Sequence, residues 1–201
     1  ALNLSGNRLT EVSLAGVYGD YEKNVLADID LSDNQLTELT LVNNGYIKNL
    51  DLSGNNFTTY SLKDYDELVN LDLSDNRLAG ELNLAYLVNA ENIDLSGNLL
   101  TSLTIDQLPK IRHFDISDND FTLQTLPVIT TGEYSYAPQH QLEIVDKAPA
   151  VNLTAQNRII DGVGTTFTWK KADGTPLVNG VDMDCADGAT RFLDTSLGEV
   201  Y

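Results

Sequence analysis

Five aspartates recur at one position of a repeated phrase, and their side chains are the best placed in this sequence to do chemistry. Each stands between two apolar residues and is followed by Ser, then Gly or Asp, then Asn, as in Leu71-Asp72-Leu73-Ser-Asp-Asn76. The five are Asp30, Asp51, Asp72, Asp94 and Asp115. If the phrases stack as parallel strands about 4.8 Å apart, these carboxylates form a column that could attract cations or bind a polyhydroxyl ligand. The alternative is that Asp-Ser supplies only local hydrogen bonds and solubility.

The positions of the histidines relative to possible nucleophiles do not match a catalytic motif. The chain has two histidines, His113 and His140, and neither has a nucleophile at motif spacing or a glycine-rich phosphate loop nearby. His113 lies beside the aspartate column, so we include it in the predicted ligand-binding face. The acidic segment 182–194 resembles an EF-hand loop, but it has one residue too many before its glycine and lacks the final glutamate. The sequence therefore predicts a protein that is not an enzyme and has no metal or cofactor.

The asparagine that ends each phrase sets the period of the chain. Successive asparagines are 27, 21, 21, 22 and 21 residues apart, which predicts a stack of similar coils. A carboxamide has two donors and one acceptor, so it can satisfy backbone groups that the turn after each strand leaves without sheet partners. We therefore assign a structural role to the whole series, which is Asn7, Asn34, Asn55, Asn76, Asn98 and Asn119.

The phrase from Leu68 to Leu78, Leu-Val-Asn-Leu-Asp-Leu-Ser-Asp-Asn-Arg-Leu, resembles the leucine-rich repeat. The 21–22-residue spacing is similar to the short repeats of bacterial surface proteins such as internalins. This resemblance implies a right-handed solenoid with a parallel β-sheet on its concave face and 3₁₀ or extended chain on its convex side. The longer first spacing predicts an inserted loop around residues 15–21.

The period fails after residue 123, which predicts two parts. Residues 1–145 form the solenoid with strands that cover its last coil, and residues 146–201 form a β-rich region. Within the second part, residues 166–177 alternate around an Asp-Gly turn, a hairpin signal. This piece resembles the central hairpin of a bacterial immunoglobulin-like domain with Trp169 as its core tryptophan, so we expect a partial sandwich of that type.

Tyrosine is a favoured residue at protein interfaces, and two pairs lie outside the strand positions. Tyr18 and Tyr21 belong to the inserted loop, and Tyr134 and Tyr136 lie near the end of the solenoid. These four side chains are candidate protein contacts. The alternative is that they cap exposed coils.

Charge and composition limit the classes of partner. The formal net charge of −18 repels phosphate backbones, which excludes nucleic acid as an expected ligand. No apolar run approaches the 18–20 residues that would cross a bilayer, so we expect no membrane insertion. The single cysteine, Cys185, leaves no internal disulfide. The first coil opens without a capping element, so we expect a longer natural protein whose signal and anchor lie elsewhere.

The resemblance implies a function as well as a fold. It implies a non-catalytic binding or adhesion module at a bacterial cell surface, exported or anchored there, with a protein or glycan as ligand. The alternative is a structural spacer that presents another domain and has no ligand of its own.

Overall fold

A computed structural model describes most of the repeat region and several segments beyond it. The described residues are 1–14, 26–41, 44–122 and 124–140, followed by 150–152, 159–160, 163–164, 169, 175–179, 183–186 and 189–192. The chain divides into two compact units. The first comprises residues 1–121 and 125–141, and the second comprises residues 122–124 and 142–201.

A seven-stranded parallel sheet runs through the first unit, with one strand from each of the six repeated phrases and a seventh from the chain that follows them. Its strands, in spatial order, are β1 (Leu2–Asn3), β3 (Asp28–Asp30), β5 (Asn49–Asp51), β6 (Asn70–Asp72), β8 (Asn92–Asp94), β10 (His113–Asp115) and β11 (Glu133–Ser135). Equivalent residues of neighbouring phrases are paired, for example Asp51 with Asp72 and Asp72 with Asp94. The unit is therefore a parallel β-solenoid, and the prediction is confirmed at that level.

Where the structure describes it, the returning side of the coils is mostly extended chain and turns with almost no helix. Strands β2 (Glu11–Ser13) and β4 (Glu38–Thr40) pair in parallel, as do β7 (Ala79–Asn83) and β9 (Leu99–Thr104). One 3₁₀ turn spans Asn44–Tyr46. About twelve residues separate one phrase from the next, which is too few for an ordinary helix and its two connections. None of the described residues belongs to a helix long and apolar enough to span a bilayer.

Aliphatic side chains of equivalent position form the core between the coils. The second apolar residue of each phrase after the first is completely buried, and these residues are Leu31, Leu52, Leu73, Leu95 and Ile116. Their counterpart in the first coil, Leu4, is only half-buried. Full burial of one such side chain contributes about 1.5–3 kcal/mol. Each coil therefore depends on its neighbours for most of its stability.

The asparagines connect the coils through hydrogen bonds to the backbone. Asn98 is 1% exposed, and its Nδ2 donates to the carbonyls of Leu95 and Ser96 in its own coil at 3.1 and 3.2 Å. The same Nδ2 donates to the carbonyl of Leu73 in the preceding coil at 2.9 Å, while its Oδ1 accepts the Leu78 N–H at 2.9 Å. Four backbone groups from two coils therefore depend on one carboxamide.

The first asparagine differs from the rest of the series, and a glutamine extends the series beyond its last member. Asn7 is exposed, and among the described residues its Nδ2 donates only to the carbonyls of Leu4 and Ser5 of its own coil. At the other end, Gln139 takes the asparagine's place. Its Nε2 donates to the Ile116 carbonyl at 2.8 Å and its Oε1 accepts the Phe121 N–H at 3.1 Å. Gln139, in the chain after β11, thus makes the backbone hydrogen bonds that an asparagine makes in the other coils, although the repeated phrase is absent there.

Glycine and aspartate alternate at the position before each asparagine, and contacts between neighbouring coils explain why. Asp33, Gly54, Asp75 and Gly97 all have left-handed backbone, with φ between 52° and 66°. A Cβ on Gly97 would lie 2.5 Å from Oδ1 of Asp75, and a Cβ on Gly54 would lie 2.7 Å from Oδ1 of Asp33. The aspartate side chain of one coil therefore occupies the space that glycine leaves in the next.

The second unit is described only in part. Strands β12 (Ala150–Asn152), β16 (Ala189–Phe192) and β15 (Met183–Ala186) form an antiparallel sheet in that order, and β13 (Ile159–Ile160) pairs with β14 (Val163–Gly164). Trp169 is buried, and its carbonyl accepts the Leu177 N–H at 2.8 Å. Most of the hairpin predicted over residues 166–177 lies outside the described residues.

Candidate functional site

The outer face of the seven-stranded sheet forms a groove of about 630 Å³ that is lined from all seven strands. Seven carboxylates line it, and no lysine or arginine is among its lining residues. The carboxylates belong to Asp28, Asp30, Asp51, Asp72, Asp94, Asp115 and Glu133. The groove thus brings all five aspartates of the predicted column together with His113.

Serine holds one oxygen of each aspartate in the column. In Asp94, Oδ1 accepts the backbone N–H of Ser96 at 2.9 Å and its hydroxyl at 2.6 Å. The same two bonds recur at Asp30, Asp51, Asp72 and Asp115. These bonds fix the side-chain orientation, so the second oxygen of every aspartate takes an equivalent position along the groove.

The second oxygens have few partners in the part of the chain that the structure describes. Asn3 occupies the same position in β1, and its Nδ2 donates to Oδ2 of Asp30 at 2.6 Å. For Asp51, Asp72, Asp94 and Asp115, no donor among the described residues contacts Oδ2. A carboxylate oxygen is an acceptor only. The column therefore offers a ligand a row of half-buried acceptors.

The middle of the column is electrostatically unfavourable for negative charge. Burial raises the pKa of Asp72 above the ordinary aspartate value of 3.8, and the carboxylates of Asp94 and Asp51 raise it further. The hydrogen bonds from Ser74 oppose this rise but do not cancel it. Burial and the neighbouring carboxylates therefore both disfavour the charged form of Asp72, and a cationic group of a ligand would relieve the repulsion.

A second polar column, which the sequence reasoning missed, lies beside the aspartates at the first position of each strand. Asn49 donates through Nδ2 to Oδ1 of Asp28, Asn70 donates to Oδ1 of Asn49, and Asn92 donates to Oδ1 of Asn70. The sequence contains the corresponding pattern, which is an asparagine at the same position of three successive strands. Their polarity is evident from the sequence, but the bonds between them depend on equivalent carboxamides lying in parallel register.

His113 continues this second column toward the end of the sheet. It pairs in register with Asn92 on one side and Glu133 on the other, and its Nδ1 lies 2.8 Å from Oε2 of Glu133. Both side chains are mostly exposed, at 61% and 83%, so an ion pair between them contributes about 1 kcal/mol or less. His140 lies outside the groove and contacts Asp120 at 2.8 Å.

The tyrosines predicted as protein contacts have different outcomes. Tyr134 stacks on Phe114 with ring centroids 5.7 Å apart, and its hydroxyl donates to the Pro127 carbonyl at 3.0 Å. Tyr136 packs against Tyr134 at 5.2 Å. This pair therefore covers the last coil, and its use by a partner stays a prediction. Tyr18 and Tyr21 lie outside the described residues.

Within the described part of the chain, no group of three or more His, Cys, Asp or Glu side chains is arranged to hold a metal ion. Comparison of the chain with protein-family models, curated proteins and solved structures finds no match.

Proposed function

We propose that this chain is a non-catalytic binding module of the leucine-rich-repeat type, internalin-like in its short repeats, that holds a basic segment of a protein partner in the acidic groove. The resemblance in sequence supports a bacterial surface location and an immunoglobulin-like second unit. The groove supports the choice of ligand. Its seven carboxylates have no lysine or arginine among the groove's lining residues, so a basic segment of a partner would complement their charge.

The observation that carries the proposal is the row of Oδ2 acceptors on Asp51, Asp72, Asp94 and Asp115. They recur once per coil, at the strand spacing of about 4.8 Å, and serine holds each carboxylate in one orientation. A lysine or arginine side chain donates several hydrogen bonds and carries the complementary charge. A glycan hydroxyl can donate to the same oxygens, but it does not relieve the repulsion at Asp72.

A structural spacer is the second candidate, and one observation favours it. Each aspartate already accepts two hydrogen bonds from a serine two residues later, and the asparagines beside them bond to one another. The polar face is therefore largely satisfied by local contacts. On this interpretation the columns keep the sheet face soluble and in register, and no ligand binds there.

Binding of an oligolysine peptide and of a neutral oligosaccharide to the whole chain tests the proposal. The variant D51N/D72N/D94N removes three charges from the groove but keeps the Oδ1 acceptor that each serine needs. We expect it to weaken oligolysine binding at least 10-fold, measured by calorimetry at about 150 mM salt. Oligosaccharide binding should be weak or absent in both proteins.

A matched variant separates the groove from the overall charge. E11Q/E38Q/E67Q also removes three charges, but from exposed positions outside the groove. We expect this variant to bind oligolysine within about twofold of the wild type. Equal weakening in both variants would show attraction to net charge alone. If the wild type binds neither probe, the binding proposal fails and the spacer is favoured. If it binds only the oligosaccharide, the choice of a basic segment is wrong.

A further inference from the structure

The aspartate column has a feature that does not depend on any ligand. Strand register places Asp51, Asp72 and Asp94 directly beside one another on three successive coils. Oδ1 of each is held by the N–H and hydroxyl of the serine two residues later. Because that oxygen is engaged in the same way in every coil, Oδ2 is the atom through which one carboxyl group can contact the next.

The first coil shows that such a contact fits. Asn3 has the place of an aspartate in this column, and its Oδ1 accepts the Ser5 N–H at 3.0 Å and the Ser5 hydroxyl at 2.8 Å. Its Nδ2, which stands where an aspartate has Oδ2, lies 2.6 Å from Oδ2 of Asp30 in the next coil. A donor at this position therefore reaches the neighbouring carboxylate with no change in the sheet.

We propose that Asp51, Asp72 and Asp94 share protons as the pH falls below neutral, with the protonated Oδ2 of Asp72 donating to Oδ2 of a neighbouring carboxylate. The proton comes from solvent and forms an O–H bond on Asp72, and the neighbour stays ionised and accepts. One negative charge is neutralised, and a repulsive contact becomes a charge-assisted hydrogen bond.

The surroundings of Asp72 favour protonation. The ionisable side chains that line the same groove are other carboxylates, together with His113 at its far end. Burial is the largest cause that raises the pKa of Asp72, and Asp94 and Asp51 add to it. Because the folded protein then binds a proton at higher pH than the unfolded chain, this group makes folding more favourable as the pH falls toward 3.8. The same contribution is lost as the pH rises through the folded pKa.

Carboxyl ¹³C NMR of the whole chain tests the proposal. We expect Asp72 in the wild type to titrate above the ordinary aspartate range and in two steps, because a shared proton belongs to the coupled carboxyl groups and not to Asp72 alone. In D51N/D94N, the two introduced carboxamides keep the serine contacts through Oδ1, but they cannot share an acidic proton with Asp72. The Asp72 signal should then move to lower pH and follow a single step. E11Q/E38Q removes two charges elsewhere and should leave the curve unchanged.

Thermal unfolding of D72N provides a second measurement that does not require the double variant to fold. The carboxamide introduced by D72N can donate as that of Asn3 does, so at pH 7 we expect D72N to melt higher than the wild type. This advantage should fall by at least half between pH 7 and pH 4, as the wild-type side chain becomes protonated. The proposal would be overturned if Asp72 titrated in a single step whose midpoint D51N/D94N did not move. It would also be overturned if D72N did not melt higher than the wild type at pH 7, or if the difference in melting temperature did not depend on pH. Neither measurement involves a ligand, so the result is separate from the test of binding.

Discussion

Replacing Asn98 by aspartate should cost about 4 kcal/mol or more of the free energy of unfolding at pH 7, since each orphaned buried group costs about 1–3 kcal/mol. The change turns Nδ2, which donates to three carbonyls at 2.9–3.2 Å, into an oxygen that repels them. The site is 1% exposed, so the new charge is buried without a partner. Urea denaturation of the variant and the wild type at pH 7 measures the difference.

The dependence of this loss on pH follows from the same contacts. Burial raises the pKa of a new carboxyl group at position 98, so the folded variant binds a proton more readily than its unfolded chain. Once protonated, the introduced carboxyl group can donate one of the three hydrogen bonds again. The stability deficit should therefore shrink as the pH falls from 7 to 4, and a deficit that grows over this range would contradict the assignment.

Asn7 provides a matched control for Asn98. Both follow the sequence Leu-Ser-Gly, but Asn7 is exposed, and in the part of the chain that the structure describes its side chain donates to two carbonyls, both in its own coil. Asn7→Asp should therefore cost about 1 kcal/mol or less, since water can solvate the new charge. Equal losses for the two variants would mean that the asparagine stabilises its own turn and does not connect neighbouring coils.

Replacing Gly132 by alanine should cost about 3 kcal/mol and loosen the strand that covers the last coil. Gly132 has φ +80°, and a Cβ there would lie 2.7 Å from the Arg112 carbonyl oxygen and 2.9 Å from that of Ile111. These are backbone atoms, so the chain itself must shift, at a cost of about 1–3 kcal/mol beyond the left-handed strain. Glu133, which follows directly, begins β11. Chemical denaturation measures the loss of stability. Near-ultraviolet circular dichroism measures whether the packing of Tyr134 on Phe114 has loosened.

Replacing Gly80 by alanine is a control that separates the steric clash expected for Gly132→Ala from the cost of left-handed backbone alone. Gly80 has φ +75°, close to that of Gly132, but no atom lies within 4 Å of the Cβ position. Gly80→Ala should therefore lose only the conformational term of about 1 kcal/mol. If Gly132→Ala costs no more than Gly80→Ala, then the close approach of Gly132 to the Arg112 carbonyl does not position β11.

Sequence reasoning predicted the parts of the fold that repeat. The phrase ending in Asn76 defines strand position, buried apolar residues and turn, because a coil must satisfy the same packing and hydrogen-bonding demands each time it recurs. The five aspartates consequently fall in one column, as their shared position in the phrase required. Parallel register follows once every coil has nearly the same length.

Features that depend on contacts between coils were not predicted. The alternation of Gly54 and Gly97 with Asp33 and Asp75 was visible in the sequence, but its reason is the close approach of side chain and backbone across coils. Gln139 takes the place of an asparagine in a segment without the phrase, so no pattern marked it. The carboxamide column likewise needed the register of the strands, which places Asn70 beside Asn49.

Amide hydrogen exchange tests most directly whether carboxamides join each coil to the next. The backbone N–H groups of Leu36, Phe57, Leu78 and Leu100 donate to Oδ1 of the asparagine in the following coil. We predict that these four amides exchange at least about 1,000-fold more slowly than in an unstructured peptide, since they open only when neighbouring coils separate. Exchange at the rate of an unstructured peptide would contradict the stacked arrangement on which the groove and its two polar columns depend.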